Sequence, residues 1–196
     1  MNRQTTVGIL LAAGAGRRFD ADGLRNKLCE VLDDGMSVAC HAAQTQRSVL
    51  ANVVAVVRSP ELADQLKSLG CQVLLFSGAD QGMGASLAHA VRFVDAHFPQ
   101  AHSVLIGLAD MPYIEPGTVE QIVNELDRGA AIVQPYCQQQ AGHPVGFARC
   151  HFPALMALQG DTGARQLLRE FPVVALAVDD PGILQDIDYS SDLLPG

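Results

Sequence analysis

Short apolar runs alternate with stretches of helical composition along most of the chain, and this alternation restricts the possible folds more than any other feature. Val7 to Ala13 reads as a buried strand, and so do "NVVAVV" (Asn52 to Val57), "CQVLLF" (Cys71 to Phe76), "SVLIGLA" (Ser103 to Ala109) and "AAIVQPY" (Ala130 to Tyr136). Between them, Ser37 to Val49, Pro60 to Leu69, Gly84 to His97 and Glu115 to Asp127 read as helices. Ser59-Pro60 opens the second of these, a capping residue followed by proline at the first helical position. "HPVGFAR" (His143 to Arg149) and "PVVALAV" (Pro172 to Val178) add two later strands. Near-continuous apolar strands separated by long helical stretches imply a mostly parallel sheet covered on both faces. The expected fold is therefore α/β, a three-layer α/β/α sandwich with a mostly parallel (mixed) sheet and right-handed crossovers. No repeat, low-complexity tract or linker interrupts the pattern, so residues 1–196 are expected to form one domain. A chain of 196 residues can bury about 70% of its unfolded surface. Ligands of open α/β sheets bind beyond the carboxyl ends of the strands. The site is therefore sought just after residues 11, 58, 77, 109 and 136.

Composition removes several function classes. Hydrophobic residues make up 48% of the chain, which excludes intrinsic disorder. No apolar run approaches the ~20 residues of a membrane span, and the N-terminal run reads as a first strand with no convincing cleavage site. A cytoplasmic protein is expected. The net charge of −8 argues against nucleic acid as a partner. Positive charge is concentrated locally, because Arg17, Arg18, Arg25 and Lys27 fall close together; a small anionic ligand fits that distribution better than a polymer. The five cysteines (29, 40, 71, 137 and 150) form no C-x-x-C pair. Their odd number fits a reducing compartment, and Cys40 and Cys71 fall in core patterns. His41, His89, His97, His102 and His151 have no metal-ligand spacing.

The first strand ends in Ala12-Ala13-Gly14-Ala15-Gly16-Arg17-Arg18. Small residues let backbone N–H groups approach an anion, and the cationic side chains add full charges. The P-loop pattern is absent, and Phe19 stands where a dinucleotide fingerprint needs its third glycine. An ordinary glycine-rich turn with exposed arginines is the alternative. The segment "LLAAGAGRRF…K" resembles the signature loop of nucleotidyltransferases with the nucleotide-diphospho-sugar transferase (Rossmann-like) fold. It is most similar to the molybdenum-cofactor nucleotidyltransferases, the MobA-like NTP transferases, and "LAAG" is closer to their cytidylyl than their guanylyl branch. The resemblance implies that Ala12, Ala13, Gly14, Gly16, Arg17, Arg18 and Lys27 contact a nucleoside triphosphate. It also implies that Arg17 and Lys27 act in catalysis with Asp110. The spacer "DADGLRN" between Phe19 and Lys27 is longer than the family's, which leaves Arg25 as a substitute for Lys27.

In "VLIGLADMP", Asp110 directly follows an apolar run, where a carboxylate needs a partner or a cation. Mg2+ suits such an acid beside substrate phosphates, and "LADMP" resembles the family's metal motif. "QDIDYSSDL" resembles its C-terminal motif and implies Asp188 as a second metal ligand, with Asp186 as a weaker candidate. In the alternative, Ser190 or Ser191 caps a short helix and the acids face solvent. The segment "DQGMGASLAHAV" would bring Gly82 and Ser86 to the nucleotide, or would simply be a glycine-rich helix entry. Gly142-His143-Pro144 resembles an acceptor-side element, so His143 contacts an anionic acceptor or is buried in a loop. Asp161 or Thr162 reads as a helix N-cap, and Arg165 as an acceptor clamp. Together the resemblance implies Mg2+-dependent transfer of CMP from CTP to the terminal phosphate of molybdopterin or molybdenum cofactor, releasing pyrophosphate. A molybdenum hydroxylase is the implied recipient of the product. GTP, a sugar or polyol phosphate acceptor, and a non-catalytic cofactor-delivery protein are the alternatives.

Overall fold

β1 (Thr6–Ala12) is apolar on both faces and therefore belongs in the middle of a sheet. In the computed structural model, which describes residues 5–13, 19, 25–77, 82–161 and 163–193, every residue of this strand is buried. Its two neighbours, β2 (Asn52–Val57) and β4 (Ser103–Leu108), run parallel to it. β3 (Gln72–Leu75) extends the parallel series beyond β2.

The two-residue period of these strands builds two separate cores. Ile9, Leu11, Val54, Val56, Val104 and Ile106 point to one face, where Leu87, Val91 and Val94 of α3 (Met83–His97) cover them. α5 (Phe152–Met156) adds Phe152 and Leu155 on the same side. Leu10, Ala12, Val53, Ala55, Val57 and Leu105 point to the other face. There they meet α1 (Val38–Val49), α2 (Pro60–Ser68) and α4 (Pro116–Asp127) through Val38, Ala42, Leu62, Leu66, Val119 and Ile122. The result is the expected α/β/α sandwich. Among the described residues no helix is long and apolar enough to cross a membrane.

Beyond β4 the sheet becomes mixed. β7 (Val145–Ala148) inserts antiparallel between β4 and β5 (Ile132–Cys137). β5 also pairs antiparallel with β6 (Gln140–Ala141) and parallel with β8 (Val174–Ala177). The order is β3-β2-β1-β4-β7-β5-β6, with β8 on β5. The chain steps outward from β1 to β3 and then returns to β4 on the opposite side of β1. The carboxyl ends of β1 and β4 are thus the topological switch point, where an open α/β sheet leaves a crevice.

Local signals at the ends of elements held in one helix and failed in another. The Ser59 hydroxyl accepts from the Leu62 amide, with Pro60 at the first helical position of α2. α6 (Arg165–Glu170) departs from expectation: its N-cap is Ala164, which makes no side-chain cap. Asp161 is not that cap, and Thr162 lies outside the described residues. Gly160 and Gly163, both with positive φ, turn the chain here, so the helix begins later than the local sequence suggests.

Candidate active site

Two buried alanines, Ala12 and Ala13, bring the chain to the carboxyl end of β1. Gly14, Gly16, Arg17 and Arg18, which follow them, lie outside the described residues. The end of β4 is described in full. The Ala109 amide donates to the Leu11 carbonyl at 3.0 Å, which ties the two strand ends together just before Asp110.

Lys27 reaches the same place from a 3-10 turn, Lys27–Cys29, that the Asn26 side chain caps by accepting from the Leu28 amide. The Lys27 ammonium donates to Asp110 Oδ2 at 2.7 Å and to Asp188 Oδ1 at 3.0 Å. Burial alone would lower the pKa of this nearly enclosed lysine. The hydrogen bond and charge of Asp110, followed by those of Asp188, outweigh burial and hold the pKa above the ordinary lysine value. The ammonium is therefore a fixed positive charge between two acids. Arg25 is engaged elsewhere: it makes two hydrogen bonds to Glu30, at 2.9 and 2.6 Å, and its guanidinium lies 5.3 Å from the centre of the Phe19 ring. Among the described residues, the basic side chain that hydrogen-bonds Asp110 and Asp188 is that of Lys27.

The third part of the site is the C-terminal segment. The Ile187 amide donates to the Asp110 carbonyl at 2.8 Å, which brings Asp186 and Asp188 alongside Asp110. Asp192 then accepts from the amides of Asp188 and Tyr189. Those backbone hydrogen bonds, led by the one from Tyr189, lower the Asp192 pKa and keep it ionised. One carboxylate oxygen each from Asp110, Asp186 and Asp188 lies within 4.8 Å of the other two. Three hard oxygen donors at that spacing suit a divalent cation of the Mg2+ or Mn2+ kind, and the Lys27 ammonium lodged between two of them marks the point as one that attracts positive charge.

His143 borders the acids. Burial pushes its pKa below the ordinary histidine value; the charges of Asp110 and Asp186 and a backbone hydrogen bond at Ile106 oppose that, and the charge of Arg165 reinforces it. Its Nδ1 is buried without a hydrogen-bond partner among the described residues. Arg165 is exposed at the start of α6, close enough for its charge to be felt at the imidazole. Gly82 and Ser86 are engaged differently. The Ser86 hydroxyl is buried and donates to the Gly82 carbonyl at 3.4 Å. Gly82 has φ of +93°, and a Cβ there would lie 2.5 Å from the Gly160 carbonyl oxygen. The Gly84 amide donates to that same oxygen at 2.7 Å. The crossing of residues 159–161 is thus sufficient reason for both glycines.

Sequence reasoning missed Asp180. It is buried and accepts from three groups: the Gly182 amide at 2.9 Å, the Glu115 amide at 3.0 Å and the Thr118 hydroxyl at 2.6 Å. "DDPG" carried the local half of this signal, an aspartate capping a turn with proline at its first position. Nothing local connects it to α4.

Residues 8–177 match the family model of the MobA-like NTP transferase domain. The purine catabolism protein PucB of Bacillus subtilis (strain 168) is 29% identical over 196 aligned residues, covering 93% of this chain and 91% of that protein. The crystal structure of Rv0371c from Mycobacterium tuberculosis H37Rv superposes with a TM-score of 0.79 at 24% identity, covering 98% of this chain and 96% of that one. A manganese complex of the same protein gives 0.73 at 22% identity and covers 96% of each chain. The molybdopterin-guanine dinucleotide biosynthesis protein A of Archaeoglobus fulgidus gives 0.68 at 20% identity, covering 95% of this chain and 94% of that one.

Proposed function

Because this chain belongs to the MobA-like NTP transferase family, we propose that it moves a nucleoside monophosphate, CMP from CTP, onto the terminal phosphate of molybdopterin or molybdenum cofactor. The observation that carries this reading is the Lys27 ammonium held at the β1–β4 switch point between Asp110 and Asp188. A cation and a set of acids at that crevice suit a reaction whose main obstacle is bringing two polyanions together. An oxygen of the acceptor phosphate forms a bond to the α-phosphorus. The bond from that phosphorus to the bridging oxygen breaks, and its electron pair leaves with pyrophosphate. The attacking phosphate is already an anion, so no general base is needed; positioning and electrostatics carry phosphoryl chemistry of this kind.

Asp110, Asp188 and Asp186 would hold a divalent ion, Mg2+ in this reading, through their facing oxygens. Bound there, it would supply charge neutralisation to the two reacting phosphates. The manganese complex of Rv0371c supports a divalent ion in the fold. Lys27, Arg17 and Arg18 hold the β- and γ-phosphates. Ala12, Ala13, Gly14 and Gly16 let the triphosphate approach the backbone, and the Gly82–Ser86 helix entry borders the nucleotide. His143 is neutral at pH 7 given its lowered pKa; together with Arg165 it faces the acceptor. The recipient of the dinucleotide product is a molybdenum hydroxylase, in the cytoplasm.

A pyrophosphate-release assay with each of the four ribonucleoside triphosphates, with Mg2+ and with or without molybdenum cofactor, tests the proposal. Release with CTP that requires the cofactor is the expected result. Release with GTP reassigns the base, and release only with a sugar or polyol phosphate reassigns the acceptor. Nucleotide binding without any release identifies a delivery protein instead.

A further inference from the structure

We infer that Asp180 is a positioning residue that latches the C-terminal segment to α4 and thereby sets Asp186 and Asp188 against Asp110. The inference rests on the transferase reading above for its functional consequence, though not for its geometry. α4 has no side-chain cap of its own: Glu115 occupies the N-cap position and makes none. Asp180, distant in sequence, takes that role. Its Oδ2 accepts from the Glu115 amide and the Thr118 hydroxyl, and its Oδ1 accepts from the Gly182 amide. A buried carboxylate is costly unless hydrogen-bonded; here three donors and the positive end of a twelve-residue helix supply the compensation. One oxygen therefore grips α4 and the other grips the segment that leads to Asp186.

The fit tolerates little movement. A Cβ on Gly182 would lie 2.1 Å from the Tyr113 carbonyl oxygen, and one on Gly142 would lie 2.4 Å from the Ile183 carbonyl oxygen. The His143 amide donates to that Ile183 carbonyl at 3.1 Å. The segment thus threads between the loop after β4 and the hairpin before β7. It is pinned at Asp180, at Ile183 and at Ile187, whose amide meets the Asp110 carbonyl. Both ends of this span converge on the stretch Asp110–Thr118, the loop after β4 together with the first turn of α4: Asp180 holds its far end at α4, and Ile187 holds its near end at Asp110. Asp180 touches no substrate. It acts by fixing how far apart Asp110 and Asp188 stand.

The test uses the full chain and Mn2+ alone, measured by electron paramagnetic resonance. It compares wild type, Asp180→Asn and Thr118→Val, with near-ultraviolet circular dichroism confirming the fold of each. Asp180→Asn is expected to weaken Mn2+ binding roughly 10–100-fold, the range for residues that orient metal ligands. Thr118→Val, which removes one of the three bonds, is expected to give a smaller shift in the same direction. In pyrophosphate release, the apparent KM for Mg2+ should rise while kcat at saturating Mg2+ recovers, a split that general destabilisation would not produce. Amide hydrogen exchange at Ile187 should quicken in both variants. A folded Asp180→Asn protein with wild-type Mn2+ affinity and wild-type exchange at Ile187 overturns the inference. If that variant does not fold, the same result in Thr118→Val overturns it. A wild-type protein that binds Mn2+ but releases no pyrophosphate refutes the transferase reading and leaves the latch standing. One that binds no Mn2+ refutes the ion site, and exchange at Ile187 then decides the latch by itself.

Discussion

Replacing Lys27 with methionine keeps most of the side-chain length and removes the charge that Asp110 and Asp188 share. The two contacts, at 2.7 and 3.0 Å, are each worth about 6 kcal/mol of Coulomb attraction at an effective dielectric of ~20, before desolvation takes most of it back. Without the ammonium, carboxylate oxygens within 4.8 Å of one another repel by at least about 3.5 kcal/mol per pair on the same scale. The Asp110 and Asp188 side chains are 22% and 18% exposed, so water screens part of that, and the net loss is about 1–3 kcal/mol, below the 3–5 of a fully buried broken pair. For a chain of this size that lowers Tm by roughly 2–12 °C in the presence of a chelator. A divalent ion reverses the effect. It stabilises the folded state by mass action, and in Lys27→Met it meets no competing ammonium, so Mn2+ should raise Tm more in the variant than in wild type. Differential scanning fluorimetry with and without Mn2+ measures both quantities. A variant as stable as wild type in chelator, or one that gains no more than wild type from Mn2+, would refute the idea that Lys27 and the ion contend for the same acids. Turnover of the ion-loaded variant should still fall ~10²–10³-fold, the cost of one lost charge at a reacting centre.

Asp110→Ala should abolish pyrophosphate release while the far-ultraviolet circular dichroism stays native; near-normal Mg2+-dependent release would exclude Asp110 as a metal ligand. Burial lowers the pKa of His143 and of His151, so the unfolded chain takes up protons first as pH falls. Their contribution to stability is complete above about pH 6.5, the ordinary histidine value, and declines as pH drops toward the lowered folded values. Urea unfolding between pH 7.5 and 5 should show that decline, and His143→Asn should flatten it. Gly82→Ala should cost about 1–3 kcal/mol, because the new methyl meets the Gly160 carbonyl at 2.5 Å on a backbone with φ of +93°. Urea unfolding at pH 7.5 measures it, and an unchanged midpoint would mean that residues 159–161 do not press on α3.

Several features of the site were legible because they are local. Asp110 sits directly after an apolar run whose residues could only be a central strand, so its place at a strand end followed from β4 itself. Ser59-Pro60 announced the start of α2 for the same reason. The partner of Asp110 was harder to read. Lys27 is 83 residues from Asp110 and 161 from Asp188, and its choice over Arg25 depends on where Glu30 and the Asn26 cap direct the chain. The glycines at 82 and 84 read as a helix entry, and their packing against residues 159–161 of the same chain is a long-range contact that no local pattern shows. Asp161 looked like a cap for α6, but positive-φ glycines on either side of it start the helix later.

Amino-acid order alone determined the two-residue and 3.6-residue periods, and with them a covered, mainly parallel sheet and a crevice at its carboxyl edge. Those are short-range consequences of which faces must leave water. Tertiary structure alone decided that β7 would enter antiparallel, that α4 would be capped by Asp180 from near the far end of the chain, and that one ammonium would settle between two distant aspartates. Each of these pairs groups that no local preference relates, and each becomes favourable only after the sheet has brought them out of water together.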